Sequence, residues 1–219
     1  MPNIGNDVVD LTSPANLQKS TDLRFLRKIL TATEIDEVAN AGMPDAALWS
    51  FWACKEAAYK VFSKQTGDAA FLPRRWSVCL ERPLPWEGFA QTQPDGIFPA
   101  GWTGKAVVTA EERRVFCRLF ITETHVHSLA ADETGALERA VARVVPLQNG
   151  WGASVAVRES LVTALADFFR EDPSLFTVVR PAREDGLPGP PLLCRCGAAT
   201  GLDISLSHDG QFMAYAFLP

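Results

Sequence analysis

Long apolar runs are missing from this chain. No stretch approaches the roughly 18 consecutive apolar residues that a membrane-spanning helix requires. The opening Met1-Pro2-Asn3-Ile4-Gly5-Asn6-Asp7 has neither a basic n-region nor an apolar h-region. No signal peptide, no membrane partner and a cytoplasmic location are therefore expected. Cysteine is scarce and odd in number, five in all at positions 54, 79, 117, 194 and 196. That argues against a disulfide framework and for a reducing compartment. Histidine is scarcer, at three, and the lone Cys194-x-Cys196 spacing is too short for a zinc knuckle. Positive charge is in deficit: 21 Lys and Arg against 26 Asp and Glu give a net charge of −5. A pI near 5.3 excludes a general nucleic-acid binder. No Gly-x-Ser-x-Gly elbow is present, so adjacent Ser207 and His208 do not make a hydrolase triad.

What remains is the composition of a folded protein. With 219 residues, 47% hydrophobic and 21% charged, the chain is one large domain or two small ones. Residues 6–11 read as a strand bounded by Gly5 and Pro14. Residues 22–40 read as one or two helices, with Thr31 or Thr33 as cap ahead of Glu34 and Glu37. Residues 45–64 carry the strongest helical periodicity, with Asp45 as a cap. Trp76–Leu80 reads as a strand. Residues 83–104, with four Pro and four Gly, read as a long irregular connection. Strands follow at 105–110, 114–122 and 124–130. A second helix at 153–170 places Val157, Leu161, Ala164, Leu165 and Phe168 on one side. Then come a strand at 175–180, a proline-rich turn at 181–191, and a hairpin of 204–207 with 212–218 around Asp209-Gly210.

Helix, strand and a Ser-Leu-x-x-Asp strand ending occur in the same order twice, the endings being Ser128–Asp132 and Ser205–Asp209. The expected fold is α+β: two similar lobes about a pseudo-twofold, each a small antiparallel sheet packed with a long helix. Their bounds are 1–135 and 153–219, with a linker at 136–152 and a cleft between them.

Three segments concentrate chemistry. On the 45–64 helix, Leu48, Trp52, Lys55, Tyr59 and Phe62 share one stripe. Lys55 in its middle needs a partner or a polar cleft, and Glu56 and Lys60 flank it, four apart. Asp7 and Asp10 lie three apart on the first strand, so a regular strand aims them at opposite faces. The turn after Ser207-His208 offers backbone amides to a phosphate.

Gly5-Asn6-Asp7-Val8-Val9-Asp10 together with Phe51-Trp52-Ala53-Cys54-Lys55-Glu56-Ala57-Ala58-Tyr59-Lys60 resembles the two motifs of the 4′-phosphopantetheinyl transferase superfamily. Arg24-Phe25-Leu26 through Glu34 is similar to the segment between them, and Ser205-Leu206-Ser207-His208 to the family's Ser-His motif. The two-lobed members carry the Ser-His half first. Here it comes last, which implies lobes in swapped order. The other reading is a small-type holo-acyl-carrier-protein synthase with an insertion around 83–180. Val9 stands where the large members have a second carboxylate, and Leu187 where they often have Lys.

The resemblance implies transfer of the 4′-phosphopantetheine arm of coenzyme A to a serine of an apo carrier protein, acyl, polyketide or peptidyl. It implies Mg²⁺ held by Asp7 and Glu56, with Asp10 or water as the third ligand. It implies Glu56 and Lys60 as catalytic residues, and Lys55, Lys60, Ser207, His208 and Arg24 as contacts to coenzyme A. A monomer suffices if the cleft forms within one chain. Two rival readings follow from the departures: a coenzyme A-binding homologue that transfers nothing, and a Mg²⁺-dependent phosphodiesterase that uses water in place of serine.

Overall fold

Small and β-branched residues near the amino terminus form β1 (Ile4–Asp10), which lies at the edge of a five-stranded antiparallel sheet. Its other strands are β2 (Ser77–Leu80), β3 (Trp102–Ala110), β4 (Arg113–Ile121) and β5 (His125–Ala131), in the order β1-β5-β4-β3-β2. The computed structural model describes residues 1–66, 70–82, 101–148, 152–183, 186 and 188–219. Most of the expected irregular connection, 83–100, falls outside them. Its end differs from expectation: Trp102, Thr103 and Gly104 already belong to β3. A side chain at Gly104 would meet the Trp102 indole at 2.0 Å, so the glycine makes room within a strand instead of breaking it.

Two short helices, α1 (Leu23–Ile29) and α2 (Ala32–Ala39), precede the long α3 (Pro44–Thr66). Of the two threonines considered, Thr31 caps α2. Its Oγ1 accepts from the Glu34 amide at 3.3 Å, and Glu34 Oε2 accepts from the Thr31 amide at 2.8 Å. Asp45 is not a cap. The helix begins at Pro44, and the Asp45 carboxylate accepts from the amides of Gln18 and Ser20 instead. α3 buries Leu48, Phe51, Ala57, Val61 and Phe62 completely against the sheet, a wider face than the stripe seen in the sequence.

The rest of the chain comprises α4 (Thr134–Arg139), β6 (Val141–Pro146), α5 (Ala153–Phe169), β7 (Phe176–Val179), β8 (Leu192–Arg195), β9 (Ala198–Ala199), β10 (Asp203–Asp209) and β11 (Phe212–Leu218). They form two further antiparallel sheets, β10-β11-β6 and β7-β8-β9. The mixture of helices and antiparallel sheets is the α+β class expected. α5 buries Val157, Leu161 and Leu165 with Tyr215 and Phe217 of β11. Phe168, at the end of the expected stripe, stays half exposed, its ring edge-on to Phe217. β6 lies within the stretch read as a linker and pairs along β11. Ile4, Leu129, Leu137, Ala216 and Leu218 form a small apolar cluster where the five-stranded sheet meets the β10-β11-β6 sheet.

That meeting is unusual in its bonding. β1 and β10 are edge strands with no backbone ladder between them. The amides of Ile4, Asn6 and Asp10 donate instead to side chains of β10: Asp203 Oδ2 at 2.5 Å, Ser205 Oγ at 2.8 Å and Asp209 Oδ2 at 2.9 Å. The carbonyls are met from α3. Lys64 Nζ donates to Ile4 O, Ile204 O and Asp203 Oδ1, each at 2.7 Å. One turn earlier, Lys60 Nζ donates to Asn6 O at 2.6 Å and to Leu206 O at 3.4 Å. Open strand edges leave donors and acceptors that are costly to bury unpaired. Here alternate side chains of one strand and two lysines satisfy them.

Candidate active site

The site begins with a glycine. A Cβ on Gly5 would sit 2.0 Å from the Ala57 carbonyl oxygen. Only glycine lets β1 lie this close to the backbone of α3. That approach sets Asp7, two residues on, beside Glu56 and Lys60, and Lys60 Nζ donates to Asp7 Oδ1 at 3.0 Å. Asp7 and Glu56 share a cavity of about 250 Å³ with Asn16, Trp49 and Trp52 on one side and His208 and Asp209 of the β10–β11 hairpin on the other. Trp49 Nε1 donates to the Asn16 carbonyl at 3.0 Å and fixes that wall. A second cavity of about 180 Å³ adjoins at Glu56. Its lining includes Lys60, Lys64, Arg180, Arg183 and the turn of Pro188 to Pro191.

The electrostatics are those of anions crowded in a poorly hydrated place. Burial pushes the Glu56 carboxyl up to about 7, the Asp7 charge pushes the same way, and Lys60 only partly opposes them. Burial also raises Asp7, against the pull of Lys60, while Asp209 adds to the rise. Two carboxylates that resist ionisation together favour a shared proton or a cation between them. Among the described residues, no three His, Cys, Asp or Glu side chains are grouped to hold a metal directly.

The structure thus brings together Asp7, Glu56, Lys60 and His208, the last exposed at the cavity rim. It does not bring Lys55, read above as a contact to coenzyme A. That side chain is fully buried, and its Nζ donates to Glu34 Oε2 at 2.6 Å, Pro73 O at 2.9 Å and Ile29 O at 3.0 Å. Burial lowers its pKa while the Glu34 charge holds it up. The apolar stripe was the right signal that Lys55 needs a partner, but the partner is a carboxylate in the core rather than a cleft. Glu34 also accepts from the Val78 amide with its other oxygen, so one ion pair ties α2, α3 and β2.

Asp10 is corrected in the same way. It points away from Asp7, as strand alternation requires, and accepts from Thr12 N, Thr12 Oγ1 and Gln211 N at 2.6–2.8 Å. Burial pushes its carboxyl up, but these bonds outweigh it and hold Asp10 below the usual range. It latches the hairpin turn: a Cβ on Gly210 would meet Asp10 Oδ2 at 2.1 Å. Ser207 faces inward, its Oγ accepting from Asn6 Nδ2 at 3.3 Å. Arg24 is exposed on α1 and lines neither cavity. Sequence reasoning missed Asp209, Asn16, Arg180 and Arg183 as site residues. Only the juxtaposition of the hairpin, the 11–18 loop and the β7–β8 connection with α3 gives them a common target.

An acidic pair backed by a lysine thus lies next to a cavity lined by two lysines and two arginines. Residues 3–115, just over half of the chain, match the family model of the 4′-phosphopantetheinyl transferase superfamily. The chain belongs to that superfamily, which implies a transferase with coenzyme A and a carrier protein as substrates. None of the curated proteins compared with it matches.

Proposed function

We propose that this protein moves the 4′-phosphopantetheine arm of coenzyme A onto a serine of an apo carrier protein. The observation that carries the proposal is the shared cavity of Asp7 and Glu56, with Lys60 bridging Asp7 and the adjoining basic pocket. Asp7 and Glu56 offer the oxygen donors Mg²⁺ takes, and two carboxylates with several waters suit its coordination. When bound there, Mg²⁺ neutralises charge on the pyrophosphate and on the departing nucleotide.

The chain's own residues do the rest. Arg180, Arg183 and Lys60 line the pocket beside Glu56 and receive the phosphates of coenzyme A. His208 meets a phosphate from the cavity rim. The serine oxygen bonds to the phosphorus that carries the pantetheine arm, and the link to adenosine 3′,5′-bisphosphate breaks with its electron pair. Glu56, a carboxylate bordering both cavities, takes the serine proton. Lys60 balances the charge that collects on the leaving phosphate.

The swapped-lobe reading supports the same picture. The hairpin bearing Ser207 and His208 comes from residues 153–219, Asp7 and Glu56 come from residues 1–135, and the two parts meet at one cleft. The test is the intact mass of an apo acyl carrier protein incubated with the protein, coenzyme A and Mg²⁺. A gain of one phosphopantetheine group, lost with EDTA, is the expected result. Tight coenzyme A binding with no gain on acyl, polyketide and peptidyl carriers would replace transfer by binding alone. Coenzyme A cleavage without any carrier would establish the phosphodiesterase.

A further inference from the structure

Asp209 has a role that neither the motifs nor the seam explains in full. One of its oxygens, Oδ2, is anchored twice, by Asn16 Nδ2 at 2.6 Å and by the Asp10 amide at 2.9 Å. Its other oxygen makes no hydrogen bond among the described residues. The carboxylate borders the same cavity as Asp7 and Glu56, yet it comes from the β10–β11 hairpin, across the seam from both. The wall on the β1 side offers nothing comparable, because after Asp7 it continues with apolar Val8 and Val9. A seam needs only an acceptor for the Asp10 amide, and a serine provides one for Asn6 at Ser205. A third negative charge facing two carboxylates that already repel is costly unless a cation lies between them.

We propose that Asp209 is a positioning residue for the cation held by Asp7 and Glu56, orienting a metal-bound water from the opposite side of the cleft. This inference rests on the functional reading above. Direct ligation is not required, since among the described residues no three such groups are close enough to hold one ion. Partners of this outer kind fix the geometry of the bound water, and their loss commonly weakens metal binding by about 10- to 100-fold. A consequence is that cation binding depends on the β1–β10 seam being closed, so the metal reports on assembly of the whole cleft.

The test uses Mn²⁺ alone as probe, followed by the electron paramagnetic resonance of the free ion, on the full chain without coenzyme A. Asp209→Asn keeps an acceptor for both anchoring donors and removes the charge. The expected result is Mn²⁺ affinity lower by about tenfold, with the melting temperature of the metal-free protein close to wild type. Affinity within twofold of wild type overturns the inference, as does a lower melting temperature with affinity unchanged, which is the mark of a seam residue only. If Asp209→Asn does not fold, Asn16→Ala removes one anchor of the same carboxylate. Weaker Mn²⁺ binding then supports the inference, and unchanged binding overturns it. Asp7→Asn separates the two claims. If it binds Mn²⁺ as well as wild type, or if wild type binds none, the two-carboxylate cation site itself falls and the role of Asp209 falls with it.

Discussion

At the scale of single residues, the site depends on carboxyls held away from their ordinary ionisation. Glu56→Gln keeps the shape of the side chain but removes both the ligand and the base proposed for this position. Turnover should fall about a thousandfold, equivalent to about 4 kcal/mol of transition-state stabilisation, measured as carrier-protein modification under saturating coenzyme A. The same residue shapes stability. Its folded value of about 7 lies above the ordinary 4.5. Its contribution is therefore fully present below 4.5 and lost as pH rises through about 7. In EDTA, Glu56→Gln should gain stability relative to wild type at pH 8.5 and not at pH 5, and equal melting curves at both pH values would contradict this. Histidines act at the other end. Burial lowers His125 to about 4 and His127 to about 3. Both lie below the ordinary 6.5, so the unfolded chain takes up protons first. Stability is present above 6.5 and is lost as pH falls through about 4 and about 3. His127→Gln should flatten that acid limb in denaturant melts run from pH 7 to pH 4.

At the scale of elements, close approaches and edge strands decide the outcome. Gly5→Ala places a methyl against the Ala57 carbonyl, so β1 must lift from α3 and carry Asp7 away from Glu56. Activity should be lost more severely than helix content, compared by carrier modification and far-ultraviolet circular dichroism. Lys64 lies outside the motif that ends at Lys60, yet it joins two strands and a carboxylate in an almost fully buried setting. Burial pushes its amine down, against the Asp203 charge. Lys64→Met leaves Asp203 Oδ1 and two carbonyls without their lysine donor, and the loss of one partner from a buried pair costs about 3–5 kcal/mol. Urea unfolding should show a loss in that range, and a loss below about 1 kcal/mol, the size typical of an exposed pair, would mean that water takes over those bonds.

For the whole molecule, much of the plan was legible in the sequence. The α3 periodicity, the Asp209-Gly210 hairpin and the strand starting near Gly5 were readable because each is set by local spacing. The α+β class followed from their order. The fate of Lys55 and Asp10 was not readable, because a lysine on an apolar stripe looks the same whether it meets a phosphate or a carboxylate. Glu34, Pro73 and Ile29 become its partners only when α1, α2 and α3 pack. Asp209 and the arginines beside the second cavity were hidden for the same reason, lying more than a hundred residues from Asp7. The described chain supplies residues to both sides of the cleft, and we propose that the protein acts as a monomer. Specific activity should stay constant on dilution, with a single monomeric species in sedimentation.

The side-chain seam carries one more implication. Where two edges are closed by carboxylates, hydroxyls and ammonium groups, the backbone need not run from one to the other. The cleft depends on which strands touch and is indifferent to which is synthesised first. A gene could be opened at one connection and closed at another, its termini relocated, and the same pocket would re-form. Residues 1–140 and 141–219, made as separate polypeptides, carry between them every contact of that seam. Complementation of the two fragments in trans is the natural behaviour of such a junction.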